Sequence, residues 1–246
     1  MTKTIEEDFR KHIEGRHRKF SVAGYLKEIV YGGSDGIITT FAVVAGFAGA
    51  QSQAVSQYPV VIVLIFGFAN LLADAFSMGV GNVLSVLSDK DVYKTERDKE
   101  LYEIKNNPEF EKKETIYILK KKGFSEEDAR KITELYSKNK DYWADFMMRF
   151  ELEMPTPEHE NPILTGFSTF TSFIIFGFIP LIPYVLYIEG DKFLVSIVFA
   201  FIALILLGIL RWKVTTQTLV RSIGEIVLLS GTAGVIAYFV GSLFRA

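Results

Sequence analysis

Apolar residues fall into two long blocks, roughly 29–87 and 162–244, with a long polar stretch between them. Each block divides into runs long enough to cross about 30 Å of hydrocarbon as a helix. The first run, 29–50, reads IVYGGSDGIITTFAVVAGFAGA, and a polar loop, Gln51 to Gln57, separates it from the second, 59–87. The third covers 162–188 and contains GFIPLIPY, where Pro180 and Pro183 predict a kink near its end. The polar turn Glu189 to Lys192 precedes the fourth, 193–211, and the fifth covers 219–244. The pattern predicts an all-α membrane protein with five transmembrane helices. A cytoplasmic helical insert lies between the second and third. An odd number of spans puts the two termini on opposite sides.

The boundary between the second span and the insert carries no break signal. GFANLLADAFSMGVGNVLSVLS passes directly into DKDVYKTERDKELYEIK, so one helix should run to about Asn106, where Asn107-Pro108 stops it. A second insert helix is expected over 109–122, ending at Gly123. Ser125 with Asp128 resembles a capping box and starts a third, to about Lys138. A fourth covers 140–153, and Pro155 and Pro157 return the chain to the membrane. The expected organisation is therefore 1–28, an N-terminal amphipathic segment; 29–87, two spans; 88–160, the insert; and 161–246, three spans.

Composition agrees with this segregation. Of 246 residues, 49% are hydrophobic, too many for a soluble chain of this size unless the 23% that are charged are kept apart. Lys and Arg crowd the N-terminal segment, the insert and the fourth–fifth loop, which places the N-terminus and insert in the cytoplasm and the C-terminus opposite. Arg245 is the one exception to the alternation. The opening MTKTIEEDFRKHIEGRHRKF lacks the apolar core of a cleavable signal peptide. The net charge of −2 and the lack of a basic patch argue against a nucleic-acid partner. With no cysteine there are no thiolate metal sites, and His12, His17 and His159 sit in polar flanks as surface residues.

Candidate chemistry concentrates in two places. Within the spans, Asn70, Asp74 and Met78 are four apart on the second helix, and Asp35 interrupts the first. A carboxylate at mid-bilayer costs roughly 2.5–3.5 kcal/mol on insertion scales, so such residues mark ion or proton paths by default. The alternative is interfacial placement or structural pairing. Glu28, at the entrance to the first span, is either a proton-handling group or an interfacial charge. Within the insert, Glu100 and Glu103 are three apart, as are Glu111 and Glu114, and Glu151 follows Met147 and Met148. Packed together these would supply carboxylate oxygen and thioether sulfur, a set suited to divalent first-row ions and not to zinc or copper as main cargo. Spacing alone leaves open a solvated face paired with Lys99, Lys112 and Lys113. No P-loop, nucleophile–base pair or prosthetic-group motif is present, and no enzymatic activity is expected.

GGSDGIITTFAVVAGFAGA, ADAFSMGVGNVLSV, WADFMMRFELEMPTP and GFIPLIPY, in this order and spacing, resemble the vacuolar iron transporter family. The resemblance implies a five-span homodimer with the ion path at the dimer interface, between first and second spans. It implies Fe²⁺ transport out of the cytoplasm in exchange for protons, with Mn²⁺ as plausible cargo. It carries the insert's metal-binding role to Glu100, Glu103, Glu111, Glu114, Met147, Met148 and Glu151, and the membrane path to Asp35 and Met78. Two positions depart from the family pattern. Asn70 stands where relatives have a membrane Glu one turn before Asp74, and Gly24 falls where a second acidic group is expected upstream of Glu28. Asp74 is the candidate to take over the first role. A plasma membrane is expected if the source is prokaryotic and a vacuolar one if eukaryotic. The alternative function is a membrane-tethered divalent-metal buffer or sensor, which needs the insert but neither Asp35 nor Met78.

Overall fold

The structure is a computed structural model that describes Ile5 and residues 24–50, 59–157, 161–215 and 217–243. Expectations for the segment before residue 24, the 51–57 loop, the three histidines and Arg245 lie outside the described residues. Among the described residues every regular element is helical. In chain order they are α1 (Leu26–Ala50), α2 (Pro59–Asn106), α3 (Pro108–Lys121), α4 (Glu126–Tyr136), α5 (Lys140–Phe150), α6 (Pro162–Phe178), α7 (Ile182–Val185), α8 (Lys192–Val214) and α9 (Leu219–Leu243). Five helical segments are long and apolar enough to cross a membrane: α1, α2, α6 with α7, α8 and α9. The chain forms two compact units, residues 1–82 with 163–246, and residues 83–162. The helix α2 contributes to both.

The first unit is a bundle joined through small residues. Along α1 and α9, later residues meet later ones: Gly234 lies under the Phe41 ring, and Gly241 against the backbone of Gly46, so these helices run parallel. The reverse holds for α1 and α8, where Gly33 meets Leu207 and Phe41 stacks near Phe193. The GGSDG start of α1 now has a physical reason. Gly32 and Gly36 are buried against the backbone of α6, and a Cβ on Gly36 would run into the Phe173 carbonyl oxygen. Gly177 answers from α6, where a Cβ would lie 2.7 Å from the Gly36 carbonyl oxygen. Asp35, between these glycines, stays only half-buried.

The proline pair acts as expected. The helix α6 ends at Phe178, a 3₁₀ turn covers Ile179–Leu181, and α7 follows. Proline removes a backbone donor, and in an apolar surrounding a freed carbonyl needs another partner. The buried Ser196 hydroxyl of α8 donates to the Pro180 carbonyl at 2.7 Å. At one end of α8 and α9, Glu225 accepts from Arg211 and Arg221, each at 2.8 Å, and ties the two helices. Asp191 caps α8, accepting from the backbone N–H of Phe193 and Leu194.

The second unit packs α3, α4 and α5 with the last turns of α2. Its core holds Ile104, Ile118, Leu119, Trp143, Phe146 and Met147. Gly123 ends α3 with φ of +99°, a left-handed position that disfavours other residues. Ser125 caps α4: its hydroxyl accepts from the Asp128 backbone N–H at 3.1 Å and donates to the Asp128 carboxylate at 2.6 Å. That donation differs from a capping box, where the third-residue side chain accepts from the cap's backbone. Arg97 of α2 bonds Asp141 and Asp145 of α5. The fourth insert helix is shorter than its sequence pattern, ending at Phe150 with Glu151 as its C-cap.

The glycine contacts give a stability test. Gly177→Leu forces backbone apart and should destabilise the detergent-solubilised protein by about 1–3 kcal/mol, whereas Gly81→Ala, which has nothing within 4 Å of its Cβ, should change little. Thermal unfolding followed by circular dichroism checks both, and equal melting temperatures would show the contact carries no weight.

Candidate metal centre

Three carboxylates converge in the second unit. Glu100 comes from the last turns of α2, Glu111 from the first turn of α3, and Glu151 from the end of α5, and one oxygen of each lies within 4.8 Å of the others. Helix geometry delivers them there. Asn107-Pro108 turns the chain between α2 and α3 and sets Glu111 across from Glu100, while Glu151 stands at the C-terminal cap of α5. Glu100 and Glu111 are buried, and Glu151 sits exposed at the rim. The Glu100 and Glu111 carboxyls are within hydrogen-bonding reach of each other. Each still keeps a buried oxygen, Oε1 of Glu100 and Oε2 of Glu111, with no hydrogen-bond partner.

Two of the three lysines that could have neutralised this face are engaged elsewhere. Lys99 pairs with Glu96 at 2.7 Å, and Lys112 with Glu109 at 3.1 Å and Glu134 at 3.4 Å. Lys113 makes no ion pair among the described residues. The burial of Glu100 and Glu111 sets the cluster apart from a solvated face. Electrostatics follow from that. Burial, with the Glu111 carboxylate beside it, pushes the Glu100 pKa up to about 8. Burial, with Glu114 and Glu111 nearby, raises Glu151 to about 7. Burial also raises Glu111 and Glu114 above the ordinary carboxylate range. Such a site holds either protons or a cation at neutral pH, because like charges this close cannot all ionise unaided. Oxygen donors of this kind suit hard and borderline divalent ions.

The remaining insert candidates divide. Glu114 lies in the electrostatic field of Glu103 and Glu151, outside the tight triad. Glu103 accepts a hydrogen bond from Asn107 at 2.5 Å and is also outside it. Met147 and Met148 are both fully buried. The Met147 sulfur lies 3.3 Å from the Thr115 hydroxyl, which accepts from the Trp143 indole N–H at 2.7 Å. Thr115 had escaped notice in the sequence, although it stands one turn after Glu111.

In the first unit Asp35 on α1 and Asp74 on α2 are near enough to interact electrostatically. Both are half-buried, as are Asn70 and Met78. Asn70 lines a groove of about 600 Å³ between α1 and α2, otherwise walled by small and apolar residues such as Ala42, Gly46 and Ala73. Glu28 keeps a buried Oε2 with no hydrogen-bond partner. The sequence reading missed Asn82 and Thr169, joined by a 2.6 Å hydrogen bond. Extending the 70–74–78 spacing one step would have found the first of them.

Five helical segments long and apolar enough to cross a bilayer define a multi-pass membrane protein. Comparison with known proteins makes this specific: the VIT family model matches residues 26–242, and the chain belongs to that family. It is 36% identical to the vacuolar iron transporter of Toxoplasma gondii, over 97% of this chain and 81% of that protein. It is 32% identical to vacuolar iron transporter 1 of Arabidopsis thaliana, over 96% and 92%. The match to the Plasmodium falciparum vacuolar iron transporter is 35%, over 89% and 82%. These relatives carry transporter names and no enzyme name, in agreement with the absence of a catalytic constellation expected from the sequence.

The raised carboxyls predict an unusual pH response. They hold protons when folded that they lose when unfolded, so their stabilisation is full below the ordinary value of 4.5 and disappears as pH rises through about 7 and about 8. Metal-free protein should melt at a lower temperature at alkaline pH than at mildly acidic pH, and Mn²⁺ should raise the melting temperature most on the alkaline side. Glu100→Gln should flatten both trends. A calorimetric series across pH, with and without Mn²⁺, measures this, and a melting temperature that rises with pH would refute the arrangement.

Proposed function

We propose that this chain transports Fe²⁺, with Mn²⁺ as a second cargo, out of the cytoplasm across a membrane in exchange for protons. The observation that carries the reading is the Glu100–Glu111–Glu151 cluster, with unpartnered buried oxygens, in a chain of the VIT family. Iron enters the reading through relatives that are named vacuolar iron transporters. In this reading residues 83–162 form a cytoplasmic collector. Glu103, Glu114, Met147 and Met148 complete its ligand sphere as an ion binds, the two sulfurs favouring iron over harder ions such as Mg²⁺.

The membrane path runs between α1 and α2, past Met78, Asp35 and Asp74. Two copies of the chain, packed through the exposed apolar face of α2 that carries Phe66, Leu72 and Phe76, would enclose the groove that Asn70 lines. Asn70 cannot carry a proton, so proton exchange falls to Asp74 and Glu28. A carboxylate can serve both ions because proton and metal compete for the same lone pairs. In this reading the N-terminus lies in the cytoplasm and the C-terminus on the far side, an orientation the Lys and Arg distribution supports.

Reconstitution into proteoliposomes tests the reading. Fe²⁺ and Mn²⁺ flux should rise with an imposed pH gradient, and Asp35→Ala should reduce it to the protein-free background while metal binding by the carboxylate cluster persists. Flux that ignores the gradient would replace exchange with uniport. Metal binding with no flux in the unaltered protein would make it a tethered buffer or sensor.

A further inference from the structure

A third polar residue extends the ridge of α2 that carries Asn70, Asp74 and Met78. Asn82 is four residues beyond Met78, the next step along an i±4 row. It is half-buried, and its Nδ2 donates to Thr169 Oγ1 of α6 at 2.6 Å. Thr169 is fully buried, and its own hydroxyl proton goes to the Thr165 carbonyl at 3.2 Å. A hydroxyl has one proton to give, so with that proton committed Thr169 can only accept from Asn82. This settles which arm of the amide faces it. The NH₂ points at Thr169, and the carbonyl Oδ1 is turned away, accepting no hydrogen bond among the described residues.

Thr169 is also where α1 reaches α6. A Cβ on Gly32 would lie 2.6 Å from the Thr169 carbonyl oxygen, and Asp35 is three residues further along α1. One buried residue thus fixes the close approach of the helix carrying Asp35 and the amide orientation of a residue one turn from Met78. A neutral carbonyl oxygen, held in one direction and without a partner among the described residues, is a ligand for a hard or borderline divalent cation.

Resting on the transport reading above, we propose that Asn82 Oδ1 is a neutral oxygen ligand on the ion path, one turn from Met78, and that Thr169 is its positioning residue. Its role is to help strip water from the ion without adding charge. A carboxylate at the same place would hold the cation or a proton more tightly and slow its release. The assignment makes Asn82 a determinant of apparent affinity, and Thr169 acts only through it.

The test uses the full chain in proteoliposomes, with Mn²⁺ flux measured over a range of concentrations. Asn82→Leu and Thr169→Val should each raise the half-saturating concentration about tenfold, the scale expected when one hydrogen bond or ligand to a charged species is lost, while maximal flux is kept. Thr169→Ser should restore the unaltered value, since it retains the hydroxyl. The double variant should be no worse than Asn82→Leu alone. Unchanged half-saturation in Asn82→Leu overturns the proposal. So does a lower maximal flux with unchanged half-saturation in both variants, which would mark a packing role. If Thr169→Val fails to fold, Asn82→Leu and Thr169→Ser still decide. Absence of flux in the unaltered protein strikes instead at the transport reading, and the proposal falls with it.

Discussion

Carboxylates held inside packed helices without a basic partner are the constraint on which this structure turns. An isolated buried charge is unfavourable by several kcal/mol, and ordinary folds answer with a lysine, an arginine or a proton. Here Lys99 and Lys112 are drawn off to Glu96, Glu109 and Glu134. The cluster is left to protons or to a cation. In the membrane-spanning unit Asp35 and Asp74 stand in the same relation, near each other with no ion pair to either among the described residues. Each unit by itself therefore keeps a place where, among the described residues, carboxylates stand together and no basic side chain pairs with them.

Holding such groups in position requires a rigid frame, and both units build it from close contacts more than from charge. The α1–α6 seam rests on Gly32, Gly36 and Gly177, whose missing side chains let two backbones touch. Small residues serve this purpose in apolar surroundings because dispersion and weak polar contacts, not water exclusion, hold helices together there. The insert relies instead on a buried hydrogen-bond chain from Trp143 to Thr115 beside Met147, enclosed by aliphatic side chains. Every polar atom in that chain has a partner. The unpartnered oxygens of Glu100 and Glu111 are the contrast that marks the site.

The prolines show how local rules and tertiary partners divide the work. That Pro180 and Pro183 would break the third span follows from ring geometry and the missing donor. That the break would be tolerated depends on Ser196, which arrives from α8 to satisfy the Pro180 carbonyl. The same division holds at Asp35. Its sequence context, two glycines before and one after, announces close packing, but only the structure names the partner and leaves the carboxylate at the open edge of the seam.

The sequence by itself determined the helices and their order. Apolar run length, Asn107-Pro108, Gly123 and Ser125 act within a turn or two, and the structure places helix ends close to where they predict. It also nominated the carboxylates, because an acidic residue in an apolar run or a Glu repeated at helical spacing is visible without a fold. What it could not determine was which of them meet. Spacing puts Glu100 with Glu103 and Glu111 with Glu114, yet the tight group is Glu100, Glu111 and Glu151, one from each of three helices. Asn82 with Thr169, and Thr115 with Trp143, are likewise contacts between residues far apart in the chain. Helix periodicity fixes the direction of a side chain relative to its own axis alone. Packing angles and close approaches between helices decide which directions converge, and those belong to the tertiary structure.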